Sequence, residues 1–144
     1  MVPEPMKPSM RVVAAALLDD AGRVLIAQRP EGKHMAGWWE FPGGKVSDGE
    51  SDPDALVREL REELGVETRP EAEVMTLTHE YPDRTVDLVL WRASLVHGTP
   101  QGLDGQQLKW VACQSLGSER LLPADAPFVE ALQLLSSGVL ENTR

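Results

Sequence analysis

Residues 44–66 read GKVSDGESDPDALVRELREELGV, and this stretch decides the fold. Ser51 and Asp52 are residue types that cap a helix start, Pro53 follows near the first helical position, and Gly65 stands where a helix ends in a left-handed residue. The pattern predicts about four turns of helix. On it Glu59, Glu62 and Glu63 stand at i, i+3 and i+4, within an arc of about 100°. Leu56, Val57, Leu60 and Leu64 occupy the next arc, so the carboxylates border the buried stripe and avoid the fully solvated side. Like charges at these spacings each disfavour the helix by a few tenths of a kcal/mol, and Glu62 and Glu63 lie near its negative end. Clustered hard oxygen donors suit Mg²⁺ or Mn²⁺; a solvated acidic face is the plain alternative for three glutamates taken alone. Gly43 and Gly44 let backbone approach a ligand closely. Arg58 can orient a carboxylate or meet phosphate through its planar fork.

Outward from the helix, residues 11–18 and 23–28 are apolar runs joined by Asp19-Asp20-Ala21-Gly22, which reads as a hairpin. Residues 30–37 read as a loop carrying Glu31, Lys33 and His34, and 38–41 as a short extended segment stopped by Pro42-Gly43-Gly44. A second hairpin is expected from 72–81 and 86–96 around Pro82-Asp83-Arg84-Thr85, then a short strand at 108–112. Phe128, Val129, Ala131, Leu132 and Leu135 recur at helical spacing and predict a closing helix over 126–135. Residues 1–9 hold three prolines and no periodicity, so a flexible tail is expected before one domain over 10–140. Strands interleaved with two helices make this an α+β chain, a mixed sheet flanked by helices.

Size and composition agree with one globular domain. The chain has 144 residues, 42% hydrophobic and 26% charged, enough for a core without covalent staples. A net charge of −9 repels nucleic-acid backbones and anionic membranes, so neither polymer nor membrane partners are expected. A small phosphorylated molecule stays compatible if a cation offsets the repulsion locally. One cysteine, Cys113, forms no internal disulfide and reads as a small buried hydrophobe. The apolar run 12–18 is short for a secretory signal and ends in Asp19-Asp20, so it reads as a strand; a cytoplasmic location is the default expectation.

Taken as one string, Gly44, five residues, Glu50, seven residues, Arg58-Glu59-Leu60, one residue, Glu62-Glu63, one residue, Gly65-Val66 matches the Nudix hydrolase signature at every defined position. The resemblance spans about residues 11–131 and is closest to the MutT branch, through Gln28-Arg29-Pro30, Lys33-His34-Met35-Ala36-Gly37, Trp39-Glu40-Phe41-Pro42-Gly43-Gly44, Tyr81-Pro82-Asp83-Arg84 and Pro123-Ala124-Asp125. It implies an α/β/α sandwich and a metal-dependent diphosphatase that cleaves a nucleoside triphosphate to monophosphate and pyrophosphate. It implies metal binding by Glu59, Glu62, Glu63, Asp104 and the Gly43 carbonyl, with Mg²⁺ expected and Mn²⁺ a substitute. Glu59 is the first choice for activating water, Asp104 the second, with Arg58 supporting them. Arg29, His34, Glu40, Phe41, Pro42, Gly43, Arg84 and Asp125 are implied in nucleotide binding, and a monomer is expected.

The base is the open question. The MutT resemblance makes 8-oxo-dGTP, and with it nucleotide-pool sanitation and DNA repair, the leading expectation. Asp125 departs from it: an asparagine at this position both donates and accepts, whereas an ionised aspartate only accepts. An ionised Asp125 suits an N–H-rich edge such as the cytosine amino group, favouring CTP or modified pyrimidine deoxynucleotides; burial beside another carboxylate would instead keep it protonated. A non-cutting nucleotide-binding module is the remote alternative, opposed by the full carboxylate set. RNA ends sit poorly with the charge. Trp91 and Trp110 read as core, Phe41 as a candidate for base stacking, and Glu50 as an acceptor for backbone N–H groups at the helix start.

Overall fold

The computed structural model describes residues 7–136. The elements run β1 (Ser9–Leu18), β2 (Arg23–Gln28), β3 (Trp39–Glu40), β4 (Gly43–Lys45), α1 (Asp52–Leu64), β5 (Glu67–Glu80), β6 (Thr85–His97), β7 (Leu108–Ala112), two short 3₁₀ turns (Cys113–Ser118 and Pro123–Asp125) and α2 (Ala126–Ser136). The seven strands form one mixed sheet in the order β3-β2-β1-β6-β5, with β4 beside β1 and β7 beside β2.

The two sides of the sheet carry separate cores, because successive side chains on a strand point to opposite faces. From β1, Val13, Ala15 and Leu17 join Leu25, Val89 and Ala93 under Ala55, Leu56, Leu60 and Leu64 of α1. Ala16, Val24, Ile26, Leu90 and Val111 face the other way, onto Phe128 and Leu132 of α2. The result is the α/β/α sandwich. Each fully buried leucine of α1 contributes about 2 kcal/mol by leaving water, which outweighs the like-charge repulsion along the same helix.

Helix α1 begins and ends as its sequence predicts. Ser51 is the N-cap and its hydroxyl accepts from the Asp54 N–H at 3.2 Å, Asp52 and Asp54 sit at the positive end, and Gly65 closes the helix at φ 70° with its N–H on the Arg61 carbonyl. Arg11 of β1 grips Asp52 with two bonds of 2.8 and 2.7 Å, tying the helix start to the sheet.

The first expected hairpin forms only at its turn. Asp19 accepts from the Ala21 and Arg23 N–H groups, and the registered β1–β2 pair is Leu18 with Val24. Beyond it the strands part. β1 runs parallel to β6 from Ser9–Thr85 to Leu18–Ser94, and its other edge is taken by β4, with Val13 opposite Gly44 and Ala14 opposite Gly43. The extended segment ends before Pro42 as expected, β3 stopping at Glu40, but Gly43 and Gly44 are not merely its stop: they begin another strand.

The second hairpin is longer than expected, since β5 starts at Glu67 and carries Pro70. Pro70 is tolerated because β5 is an edge strand, and the β5–β6 register shifts between Pro70 and Ala72. Of the expected tail, residues 1–6 lie outside the described residues, as do 137–140 of the expected domain. Ser9 belongs to β1, and Lys7 reaches Glu80 at 3.5 Å. No helix among the described residues is long and apolar enough to cross a membrane.

Truncating Leu60, fully buried between α1 and β1, is expected to lower unfolding free energy by about 3 kcal/mol; urea denaturation of Leu60→Ala measures it.

Candidate active site

Where β1 and β2 part, a cavity of about 570 Å³ opens. Its lining includes Val12, Val13 and Ala14 of β1, Ala27 and Gln28 of β2, Glu40 of β3, Gly43 and Gly44 of β4, Glu63 of α1, Asp104 and Gln106 of a loop, and Asp125 and Phe128 at the start of α2. Arg29, Phe41 and Pro42 line it as well.

The two glycines are required by close approach. A Cβ on Gly43 would overlap the Val13 carbonyl oxygen, and one on Gly44 would overlap the Glu59 carboxylate. Only residues without a side chain let β4 lie between β1 and the acidic face of α1.

Arg58 organises that face. Its Nε and Nη2 donate to the two oxygens of Glu50 at 2.8 and 2.9 Å, Nη1 donates to Glu59 at 2.9 Å and reaches Glu62 at 3.3 Å, and Nη2 also donates to the Lys45 carbonyl at 3.0 Å. Glu50 also accepts from the Ser47 N–H at 3.0 Å. It is therefore both the expected backbone acceptor and the partner that locks Arg58. The guanidinium holds the Glu50 carboxyl down at about 2.

Glu63 is the contrasting case. Its carboxylate accepts from the Gly43 N–H at 3.2 Å, yet burial, reinforced by the nearby charges of Glu59, Glu40 and Asp104, pushes its pKa up to about 8. The side chains of Glu59 and Glu63 turn inward, whereas Glu62 is 58% exposed. Among the described residues no three acidic or histidine side chains converge closely enough to hold a metal as they stand, because Arg58 holds Glu59 and Glu62 while Glu63 takes the Gly43 amide. The donor set nonetheless fits a hard cation: buried, mutually repelling carboxylates gain most from one, and the Gly44 cradle brings Glu59 against backbone.

A second acidic pair lies in the same cavity. Glu40 pairs with Arg29 at 2.9 Å, but burial outweighs that attraction and raises its pKa. Asp125, 9% exposed, is pushed up to about 7 by burial and then by Glu40, against opposing effects of the Phe41 backbone and Arg29. Of the two states the sequence left open, burial beside another carboxyl is the one found.

Other expected residues fall elsewhere. His34 is exposed and absent from the lining; its carbonyl, not its ring, accepts from Arg29 Nε at 2.7 Å. Arg84 is also absent, its guanidinium lying 5.3 Å from the Tyr81 ring centre at the β5–β6 turn. Phe41 is 4% exposed, with its ring 6.4 Å from that of Phe128, so it packs as core and only borders the cavity. Trp91 and Trp110 pack against the α1-side core as expected. Lys33, named in the sequence reading but given no role, and Gln106, not named there, both line the cavity. Their only signal was position: Lys33 in the 30–37 loop, Gln106 beside Asp104.

Comparisons with known proteins agree with this geometry. The NUDIX domain family matches residues 13–131. The chain is 42% identical to the CTP pyrophosphohydrolase of Escherichia coli K12 over 85% of its own length and 91% of that protein, and 32% identical to the 8-oxo-dGTP diphosphatase of the same organism over 88% and 98%. The solution structure of the E. coli ORF135 protein superposes with a TM-score of 0.85 at 39% identity, covering 96% of this chain and all of that one. Nudix hydrolases generally use divalent metal ions. Of the signature residues, Gly44 and Glu63 line the cavity, while Glu50, Arg58, Glu59 and Glu62 lie outside its lining. With the family match running from β1 into α2, this chain belongs to the Nudix hydrolase family.

Proposed function

We propose that this chain is a nucleoside triphosphate pyrophosphohydrolase in which water adds to a phosphorus of the α–β bridge. The P–O bond of the bridge breaks, releasing nucleoside monophosphate and pyrophosphate. The observation that carries this reading is one cavity lined by Gly43, Gly44, Glu63 and Asp104 together with Glu40 and Asp125. The first group suits the phosphates, the second a base.

Glu59 is the residue we assign to orienting and deprotonating the water, with Asp104 as the alternate; Arg58 fixes the Glu59 carboxylate by a 2.9 Å bond. Arg29, Lys33 and Lys45 bring positive charge to a cavity whose other charged lining residues are the acids Glu40, Glu63, Asp104 and Asp125. A divalent cation, Mg²⁺ or Mn²⁺, held by Glu59, Glu62, Glu63, Asp104 and the Gly43 carbonyl, would supply charge neutralisation and acidify a bound water. A buried unpaired Cys113 fits a reducing compartment such as the cytoplasm.

Asp125 carries the base reading. A carboxyl whose pKa is raised to about 7 keeps a protonated fraction at neutrality, and that form accepts one hydrogen bond and donates another. That pattern complements cytosine, whose amino group neighbours an acceptor nitrogen, and the 42% identity to a CTP pyrophosphohydrolase favours a cytosine nucleotide. It equally complements the N7–H and O6 of 8-oxoguanine, and the 32% identity to an 8-oxo-dGTP diphosphatase keeps nucleotide-pool sanitation, and so protection of DNA, as the second reading.

Pyrophosphate release with Mg²⁺ from CTP, 5-methyl-dCTP, 8-oxo-dGTP and dGTP should give the highest kcat/KM for a cytosine compound; a clear preference for 8-oxo-dGTP would select the second reading. Glu59→Gln and Glu63→Gln should each lower kcat by at least about a hundredfold, and a chelator should abolish turnover of the parent. Unchanged rates in both variants would sink the assigned chemistry.

Asp125 also predicts a pH effect on stability. Its unfolded pKa is about 4 and its folded value about 7, so across that window the folded protein holds a proton that the unfolded chain has released. The stabilisation is full below the unfolded pKa, declines as pH rises, and is gone above the folded pKa. Asp125→Asn removes the titration, so its Tm relative to the parent should be more favourable at pH 8 than at pH 5.

A further inference from the structure

The two acids proposed to face the base sit on separate segments, and the structure shows what joins them. Glu40 follows Trp39 in β3. Asp125 closes the segment that leaves the first 3₁₀ turn at Glu119. These segments are zipped in parallel: the Trp39 N–H donates to the Arg120 carbonyl at 2.8 Å, the Leu122 N–H donates to the Trp39 carbonyl at 2.9 Å, and the Asp125 N–H donates back to Leu122 at 2.9 Å. An isolated bridge of this kind is short, and backbone bonds alone give it little to resist sliding.

Lys109 supplies the resistance. It lies on β7, opposite Ile26 of β2, and its ammonium meets Glu119 at 2.6 Å while standing 4.5 Å from the centre of the Trp39 ring. One side chain thus holds both partners of the zipper, Trp39 by its ring and Glu119 by its carboxylate. Glu119 is 19% exposed and Lys109 42%, so the carboxylate end of the ion pair is sheltered while the ammonium end meets solvent. Arg120, stacked 4.4 Å from the Trp38 ring centre, adds a second contact between the same segments. Lys109 is absent from the cavity lining and touches none of the assigned catalytic groups.

We propose that Lys109 is a specificity-determining positioning residue, which sets the placement of Asp125 relative to Glu40 by clamping Trp39 to Glu119. The inference rests on the proposed reading of Asp125 as the base-facing group. Lys109→Met keeps the aliphatic stem and removes the charge, Glu119→Gln removes the partner, and Lys109→Arg retains both the ion pair and the contact with the ring.

The measurement is kcat and KM for the best nucleotide of the panel and for ribose 5-triphosphate, which carries the phosphates without a base, with Tm recorded for each variant. Lys109→Met and Glu119→Gln should raise KM for the nucleotide by about tenfold, as expected for a misplaced positioning group. Both constants for ribose 5-triphosphate should stay within about twofold, and Lys109→Arg should restore the parent values. An unchanged nucleotide preference in folded Lys109→Met and Glu119→Gln overturns the proposal, as does a loss of kcat shared by both substrates. If a variant is unfolded by its Tm, the other two decide. A parent that hydrolyses neither compound defeats the functional reading itself, an outcome distinct from failure of the clamp.

Discussion

Five polar links meet at the Arg58 guanidinium: both oxygens of Glu50, one of Glu59, the Glu62 carboxylate and the Lys45 carbonyl. A helix with three glutamates on one arc would otherwise carry uncompensated repulsion at its negative end. Arg58 offsets that repulsion and spends its five N–H donors to do so. It also ties the loop between β4 and α1 to the helix. Replacing it by lysine would lose the fork, since an ammonium lacks the planar geometry that engages Glu50 with two bonds.

The hub matters because of what stands opposite it. β4 can lie along β1 only through Gly43 and Gly44, and it takes the edge of β1 at Val12–Ala14, where β1 and β2 have parted beyond their Leu18–Val24 pair. The cavity is the space left by that divergence. Its walls are sheet edges and a helix end, elements held by two separate cores, so polar groups lining it are placed by rigid parts of the fold.

Burial then sorts the carboxyl groups by task. Glu50, fully engaged by a cation, is held at about 2, while Glu63 and Asp125, buried among like charges, rise to about 8 and about 7. Carboxyl groups thus include a lasting anion at Glu50 and groups whose ionisation burial opposes at Glu63 and Asp125; a cation held by Glu63 would favour its anion. Such separation is what an acid-lined cavity needs if it is to take a highly charged substrate and still read a neutral base.

The helix from its Ser51 cap to Gly65, the closing helix, the strands other than β4 and the family were legible in the chain alone, because caps, turn residues and the signature spacing are local and act within a few residues. Residues whose roles depend on distant partners were not legible. Phe41 packs against Phe128, His34 offers a carbonyl in place of its ring, Arg84 rests on Tyr81, and Glu62 turns outward, each for reasons that lie elsewhere in the fold. Asp125 shows the boundary most clearly. Its position in the sequence marked it as the residue on which the base depends, but its protonation is set by burial and by Glu40, 85 positions away. Sequence determined which acids are present; only tertiary structure decided for which of them ionisation is opposed, because desolvation and neighbouring charge are properties of the packed interior.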